Sequence, residues 1–178
     1  LIPENGHCAA VRLRGVPQGV VIYYRVFAGD QALGDVARFH SARRSGQSLT
    51  LVFSGDMEER YRPFRLFDIM AAQRPDVFVH LGDTVYADIP KREFSPTLAH
   101  YRRKHARIRA DLPLQSFLAQ CATSAIWDDH EIENDANGSM PQLAVAEQAF
   151  REFWPCDTVQ RSGLYRALRL SPDVELMV

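Results

Sequence analysis

Short apolar runs alternate with amphipathic stretches from residue 49 onward, and this pattern predicts a mixed α/β fold. Residues 49–53 and 77–81 are nearly continuous apolar runs, as in strands that are buried on both faces. Between them, residues 64–73 carry apolar side chains at helical spacing, and Pro75 ends the run. A strand–helix–strand unit of this length predicts two parallel strands joined by a right-handed crossover.

The second half of the chain continues this alternation. Helices are predicted over residues 98–111, 114–121 and 143–153, and a strand between the last two ends near Trp127. The first of these helices is basic, and a basic helical run is usually a solvated face, although it could attract phosphate. Its cations are Arg102, Arg103, Lys104, Arg107 and Arg109. Residues 170–178 predict a turn followed by a strand that has only begun.

The first part of the chain carries only strand and turn signals. Strands are predicted over residues 7–13, 20–27 and 36–40, separated by turns at 15–19 and 29–30. This order resembles the last strands of an immunoglobulin- or fibronectin type III-like sandwich. Residues 43–48 are polar and contain Gly46, which places a domain boundary there. We therefore expect a β domain over 1–45 and an α/β domain over 46–178.

Composition narrows the functional classes. The chain has 178 residues, of which 46% are hydrophobic and 24% charged, so it can bury a core. The formal net charge of −1 provides no field that would hold nucleic acid by charge alone. No apolar run reaches the length of a membrane span, and no signal peptide is visible in the given sequence. The chain starts at Leu1 and stops within a predicted strand, so we expect a fragment of a longer protein.

The cysteines do not indicate whether the protein lies in a reducing or an oxidising compartment. Cys8, Cys121 and Cys156 are odd in number and widely spaced, which argues against a disulfide framework and shows no zinc spacing. We expect all three to be small buried apolar side chains.

Three acidic clusters follow the predicted parallel strands. They are Ser54-Gly55-Asp56, the segment from Gly82-Asp83 to Asp88, and the segment from Asp128-Asp129 to Asp135. A buried strand that ends in this way delivers a carboxylate to the carboxyl edge of the sheet, where open α/β sheets place their ligand sites. We expect Asp56, Asp83 and Asp129 to converge there, and carboxylate oxygens suit Ca²⁺, Mg²⁺, Mn²⁺ and oxidised iron.

The first two clusters leave alternatives open. Asp56 alone is more often a turn former or a helix N-cap than a ligand. Asp83 could bridge two cations with its two oxygens. Tyr86 could hold a strongly Lewis-acidic ion such as Fe³⁺ as phenolate, or equally be a core tyrosine. Asp88 is expected to be a solvated carboxylate or one that orients a ligand. His80 is expected to pack inside or to orient a ligand.

The third cluster is the sharpest signal. Consecutive acids repel one another, so Asp128, Asp129 and Glu131 persist most naturally when a cation neutralises them. His130 beside a metal-held carboxylate could protonate a leaving oxygen. The alternative is a solvated acidic loop. The apolar stretch from Ala122 to Trp127, which leads into the cluster, argues against this alternative. Ligand, helix-cap and orienting roles are all open for Glu133, Asn134 and Asp135.

Two phrases of this chain resemble the signature segments of PhoD-like alkaline phosphatases, within the calcineurin-like metallophosphatase superfamily. They are Phe-Val-His-Leu-Gly-Asp-Thr-Val-Tyr-Ala-Asp over residues 78–88 and Trp-Asp-Asp-His-Glu-Ile-Glu-Asn-Asp over 127–135. The resemblance runs from about residue 20 to the end and includes Leu164-Tyr165-Arg166. It implies a four-layered α/β/β/α metallophosphatase domain, here its N-terminal part, after the end of a fibronectin-like domain.

The resemblance also implies roles for individual residues and a location outside the cytoplasm. Asp83 would be the bridging ligand, Tyr86 an iron ligand and Asp129 a metal ligand, with His130 as the leaving-group acid and iron and calcium as the metals. Asp56 stands where several members carry Cys in a Ser-Cys-Gln phrase, and would substitute for it as a ligand. The family's later Gly-Asp-x-His segment, which completes the metal site, does not occur in this sequence.

These observations together predict metal-assisted hydrolysis of small phosphate esters, with monoesters and diesters both open. A non-catalytic calcium-binding extracellular module is the rival interpretation, although neither Tyr86 nor His130 is a preferred calcium ligand. A third possibility is that the fragment by itself is inactive, because ligands are missing from it.

Overall fold

The computed structural model describes residues 8–155 and 165–178, and within these ranges the chain forms nine short strands and four α-helices. The strands are β1 (Val21–Tyr24), β2 (Phe27–Ala28), β3 (Gln31–Ala32), β4 (Ala37–His40), β5 (Leu51–Ser54), β6 (Val77–Leu81), β7 (Ala122–Ile126), β8 (Ala167–Arg169) and β9 (Glu175–Met177). The helices are α1 (Leu66–Ala72), α2 (Leu98–Arg109), α3 (Leu112–Leu118) and α4 (Leu143–Phe153).

A three-stranded parallel sheet in the order β5-β6-β7 carries the acidic loops. Strand β6 lies in the middle, and its residues Val77 to His80 are all buried, which explains why this stretch is a continuous apolar run. Helix α1 connects β5 to β6, and α2 and α3 connect β6 to β7. The predicted mixed α/β class and the parallel β5–β6 pair are therefore confirmed.

Aromatic side chains pack α1 and α3 against the sheet. Phe67 of α1 stacks on Phe117 of α3 with ring centroids 5.3 Å apart. Phe78 of β6 meets Phe117 edge-on at 5.1 Å, an arrangement that aromatic pairs prefer. These rings are almost fully buried and hold the two crossover helices on one face of the sheet.

Asp111 fastens the start of α3 to the start of α1. The side chain is 2% exposed and caps α3 by accepting a hydrogen bond from Leu114 N at 3.2 Å. It also accepts hydrogen bonds from Phe64 N at 3.3 Å and from Arg62 Nε at 3.5 Å. One carboxylate thus satisfies donors from two crossover segments.

Two basic side chains of helix α2 form ion pairs with acids from other segments of the protein. Arg102 donates two hydrogen bonds, of 2.8 and 2.7 Å, to Glu152 of α4. Lys104 is buried and donates to Glu59 Oε2 at 3.1 Å and to Ile89 O at 2.7 Å. The expectation of a solvated basic face is therefore wrong for these two residues, because acids from distant segments lie over them.

The first part of the chain forms two separate two-stranded antiparallel sheets. Strand β1 pairs with β4, and β2 pairs with β3 around the predicted turn at Gly29-Asp30. The predicted strand over 7–13 is wrong for its described residues, 8–13, and His7 lies outside them. Val11 is 83% exposed, so the alternating pattern has no buried face to form against.

The sandwich resemblance of this region is not confirmed, and the division at residue 45 stays a prediction. Contacts cross that boundary: Arg38 N donates to Ala119 O at 2.8 Å, and Arg43 forms an ion pair with Asp76 at 2.5 Å.

The predictions for the end of the chain and for Cys121 agree with the structure. The strand predicted within 170–178 is β9, which pairs with β8 in an antiparallel hairpin. Cys121 is buried as predicted and Cys8 is half-buried, whereas Cys156 and Leu164 lie outside the described residues. None of the described helices is both long and apolar enough to cross a membrane.

Candidate metal centre

Three loops bring acidic side chains to the carboxyl edge of the parallel sheet. Asp56 follows β5, Asp83 follows β6 and Asp129 follows β7. The first two loops bond to each other, because Asp56 N donates to Gly82 O at 3.3 Å and Met57 N donates to Asp83 O at 2.9 Å. The third is bound to the second through His130 N, which donates to Asp83 Oδ1 at 3.4 Å.

Gly82 allows the second and third loops to meet. Its φ of +105° lies in a region that side chains disfavour. A Cβ at this position would lie 2.8 Å from Asp128 Cβ and 3.0 Å from Asp128 N. The glycine therefore satisfies both a backbone requirement and a close-packing requirement.

Two of the predicted ligands have unusual backbone conformations. Asp56 has a φ of +60° and Asp83 a φ of +53°. Residues other than glycine adopt this left-handed region at a cost, and such residues cluster at functional sites.

Asp83, Asp129 and His130 form a group with metal-binding potential. One ligand atom from each lies within 4.8 Å of the others. Asp83 is 8% exposed, and burial is the main reason why its pKa is raised, while hydrogen bonds from Tyr86 and His130 act against the rise. Two carboxylates and an imidazole on convergent loops fit a divalent or trivalent cation, which would offset the cost of burying negative charge.

His130 is oriented by Asp88. Its Nδ1 lies 2.7 Å from Asp88 Oδ1, and because a carboxylate only accepts, the ring donates this hydrogen bond. Burial lowers the pKa of His130, but the hydrogen bond and charge of Asp88, with Asp83 and Asp129, raise it above its ordinary value. Asp88 is 6% exposed, so it is not the solvated carboxylate that was one expectation. The structure instead favours the other expectation, in which Asp88 orients a neighbouring side chain, here His130.

Tyr86 lies between Asp56 and His130. Its hydroxyl donates to Asp56 Oδ1 at 2.8 Å and also interacts with Asp83, and its ring lies on the His130 ring with centroids 4.2 Å apart. Burial, followed by the two carboxylates, raises the pKa of Tyr86. Asp56 and Tyr86 thus lie beside the group of three, and their roles as ligands stay predictions.

Backbone contacts fix Asp129. Its carbonyl accepts from Ile132 N at 2.8 Å and from Glu133 N at 2.9 Å, and its Oδ2 accepts from Asp135 N at 2.5 Å. The Glu133 side chain accepts from Gln142 at 3.0 Å. Among the roles left open for 133–135, the structure shows Asp135 orienting Asp129 through its backbone.

His80 lies beneath the site and packs there, as expected. It is fully buried, its ring meets Phe78 edge-on and lies beside Trp154, and burial lowers its pKa to about 4.

Glu131 was expected among the acids that a cation neutralises, but its carboxylate instead accepts hydrogen bonds from protein donors of two loops. Its side chain is fully buried, and burial raises its pKa to about 7. Oε1 accepts from Thr84 N and from Thr84 Oγ1, the latter at 2.7 Å, and Oε2 accepts from Asp128 N at 2.9 Å. Its place between His130 and the apolar Ile132 was the sequence feature that could have indicated burial. The sequence does not identify distant hydrogen-bond donors such as those of Thr84.

Comparisons with known proteins agree with this arrangement. The chain is 26% identical to alkaline phosphatase D of Bacillus subtilis (strain 168) over 201 aligned positions, which cover 98% of this chain and 33% of that protein. It superposes on a solved structure of PhoD with a TM-score of 0.75 and 25% identity, covering 86% of this chain and 35% of that one. The chain spans about a third of the length of these relatives.

A family model described as PhoD-like phosphatase matches residues 50–178, the part that contains the parallel sheet and all three acidic loops. The motifs of residues 78–88 and 127–135, on which the resemblance rested, are the loops that meet at Asp83 and His130. With most of its length matched in this way, the chain belongs to the PhoD-like phosphatase family.

Proposed function

We propose that this chain provides part of the active site of a metal-dependent hydrolase of small phosphate esters. The observation that carries the proposal is the convergence of Asp83, Asp129 and His130 within 4.8 Å at the edge of the parallel sheet. The family assignment supports phosphoester hydrolysis, and the donor set supports a metal.

The metal ligands that we propose are Asp56, Asp83, Tyr86 and Asp129, with Asp83 as the bridging carboxylate. Calcium and iron are the proposed metals, because carboxylate oxygens suit both and a phenol suits only a strongly Lewis-acidic ion. Cations bound there would supply Lewis acidity toward phosphoryl oxygens and would lower the pKa of a bound water.

His130 is proposed to donate a proton to the leaving oxygen. Asp88 accepts the hydrogen bond that Nδ1 donates, so Nε2 is the nitrogen left for the substrate. The Tyr86 ring, which lies against the imidazole at a tilt of 31°, restricts the rotation of the imidazole. The contacts of these three side chains hold the acid in one orientation before substrate arrives, which is the condition for efficient proton transfer.

The rival proposal, a calcium-binding module without catalysis, is less well supported. An imidazole held by a buried carboxylate contributes nothing to calcium affinity, since calcium takes oxygen ligands.

We also propose, from the family resemblance alone, that the protein acts outside the cytoplasm.

The test uses the full-length protein with 4-nitrophenyl phosphate and bis(4-nitrophenyl) phosphate as monoester and diester. We expect hydrolysis of at least one, loss of activity on chelation, and recovery with calcium and iron. Activity that persists after complete metal removal would contradict the metal role. Calcium binding without hydrolysis of either ester would favour the rival module.

A further inference from the structure

Glu131 connects the two loops that carry the metal-binding group, although it is not itself part of that group. Thr84 directly follows Asp83, and Asp128 directly precedes Asp129. Glu131 accepts hydrogen bonds from both Thr84 and Asp128, with one carboxylate oxygen facing each loop. One carboxylate therefore links the backbones of the residues next to Asp83 and Asp129.

The geometry requires a carboxylate at this position. Three donors point at two oxygens: Thr84 N and Thr84 Oγ1 at Oε1, and Asp128 N at Oε2. A glutamine has one acceptor oxygen and one NH₂ group, so in either orientation its NH₂ would face at least one backbone N–H. Because Glu131 and Thr84 are fully buried whereas Asp128 is exposed, the lost acceptor costs most when the NH₂ faces the backbone N–H of Thr84.

We propose that Glu131 is a positioning residue that sets the separation of Asp83 and Asp129 and thereby the affinity of the site for metal. The inference rests on the proposed function, since it requires a metal to be bound by these two residues. Glu131 touches neither substrate nor metal in this role. Its effect passes through the Thr84 and Asp128 backbones, as with the outer hydrogen bonds that orient metal ligands in other sites.

The experiment measures Mn²⁺ binding to the full-length protein by electron paramagnetic resonance, in which free and bound Mn²⁺ are distinguished. We expect Glu131→Gln to raise the dissociation constant about 10- to 100-fold, the range observed when outer hydrogen bonds to metal ligands are removed. Thr84→Val removes only the hydroxyl donor and should cause a smaller rise. It also keeps the inference testable if Glu131→Gln does not fold.

Two controls separate positioning from general stability. Glu147→Gln makes the same chemical change on α4, where Glu147 bonds Arg151, and should leave the dissociation constant unchanged. Ile108→Val weakens the buried core on α2 and should lower the unfolding midpoint without changing Mn²⁺ affinity.

The outcomes are distinguishable. If Glu131→Gln and Thr84→Val lower the unfolding midpoint but bind Mn²⁺ as the wild type does, Glu131 is only structural and the inference is wrong. If the wild-type protein binds no Mn²⁺, Ca²⁺ or iron, the proposed metal site fails and the inference fails with it. Weakened Mn²⁺ binding in both variants, with both controls unchanged, supports the inference.

Discussion

His130 and Asp88 form a partly buried hydrogen-bonded pair, with Nδ1 and Oδ1 2.7 Å apart. The two residues are distant in sequence, and they meet because neighbouring parallel strands end at the same edge of the sheet. Asp88 also accepts from Asn134 N at 3.3 Å, so the carboxylate is fixed from two sides. The imidazole therefore presents Nε2 in a defined direction.

The first prediction follows from this pair. His130→Ala should slow hydrolysis of an alkyl phosphate by about 10²–10⁴-fold, the usual contribution of a positioned general acid. The loss should be smaller for a nitrophenyl phosphate, because nitrophenolate leaves without a proton. Steady-state rates of the full-length variant on both esters check this.

Metal content of the same variant is the control. Equal losses on both esters, with the metal retained, would count against a general acid. A loss of metal would identify His130 as a ligand, in keeping with its place beside Asp83 and Asp129.

A second prediction concerns Asp83. Asp83→Asn keeps the side-chain shape but removes the charge and one ligand oxygen, so metal content and activity should fall together. We expect the turnover rate of the variant to fall roughly 100-fold, which corresponds to a loss of about 3 kcal/mol of transition-state stabilisation. Metal analysis and turnover of the full-length variant provide the measurement, and wild-type values for both would refute the bridging role. The unfolding midpoint of the metal-free protein should change little.

Gly82 provides a third prediction. Gly82→Ala places a methyl group 2.8 Å from Asp128 Cβ and forces alanine into a φ of +105°. We expect a loss of about 1–3 kcal/mol in the free energy of unfolding, from backbone strain and overpacking. Denaturant unfolding of the variant measures this loss.

The matched control is Gly34→Ala, where nothing lies within 4 Å of the added methyl group. That change should stay within about 0.5 kcal/mol of wild type. Similar losses at the two glycines would show that neither the positive φ of Gly82 nor its contact with Asp128 matters.

His105 leads to a fourth prediction, about pH. It is 1% exposed and stacked on Phe153, and burial lowers its pKa to about 3. Below the unfolded pKa of about 6.5, the unfolded chain binds a proton that the folded chain does not. Stability present above that pH is therefore lost as pH falls toward the folded pKa, by roughly 2 kcal/mol between pH 7 and 5.

The variant His105→Phe keeps an aromatic ring beside Phe153 but cannot titrate. Its free energy of unfolding should fall less than that of the wild type over the same pH interval, by about the 2 kcal/mol attributed to His105. Denaturant unfolding at several pH values checks this. Parallel curves for the two proteins would contradict it.

Local pattern was sufficient to predict some elements of this fold. The apolar run 77–81 and the helical pattern 143–153 match β6 and α4 at both ends, because each carries a regular apolar pattern that packs against its neighbours. The meeting of Asp83 and Asp129 also followed, since parallel strands share an edge.

Features that depend on distant partners could not be predicted. The alternation before residue 14 lacks a buried face, so no strand forms over residues 8–13. Lys104 is buried because Glu59 and the Ile89 carbonyl lie over it, and the role of Glu131 depends on Thr84. Sequence patterns report which residues tend to be inside, but not which donors and acceptors meet there.

The contacts of Asp111 have a consequence for how the fold opens. Because this one carboxylate accepts from both Phe64 N and Leu114 N, displacing the Asp111 side chain releases the start of α3 and the chain that leads into α1 together. The two amides then share one opening event, so they should exchange hydrogen with solvent at matched rates despite their separation in sequence. We therefore expect the starts of α1 and α3 to open as one cooperative unit.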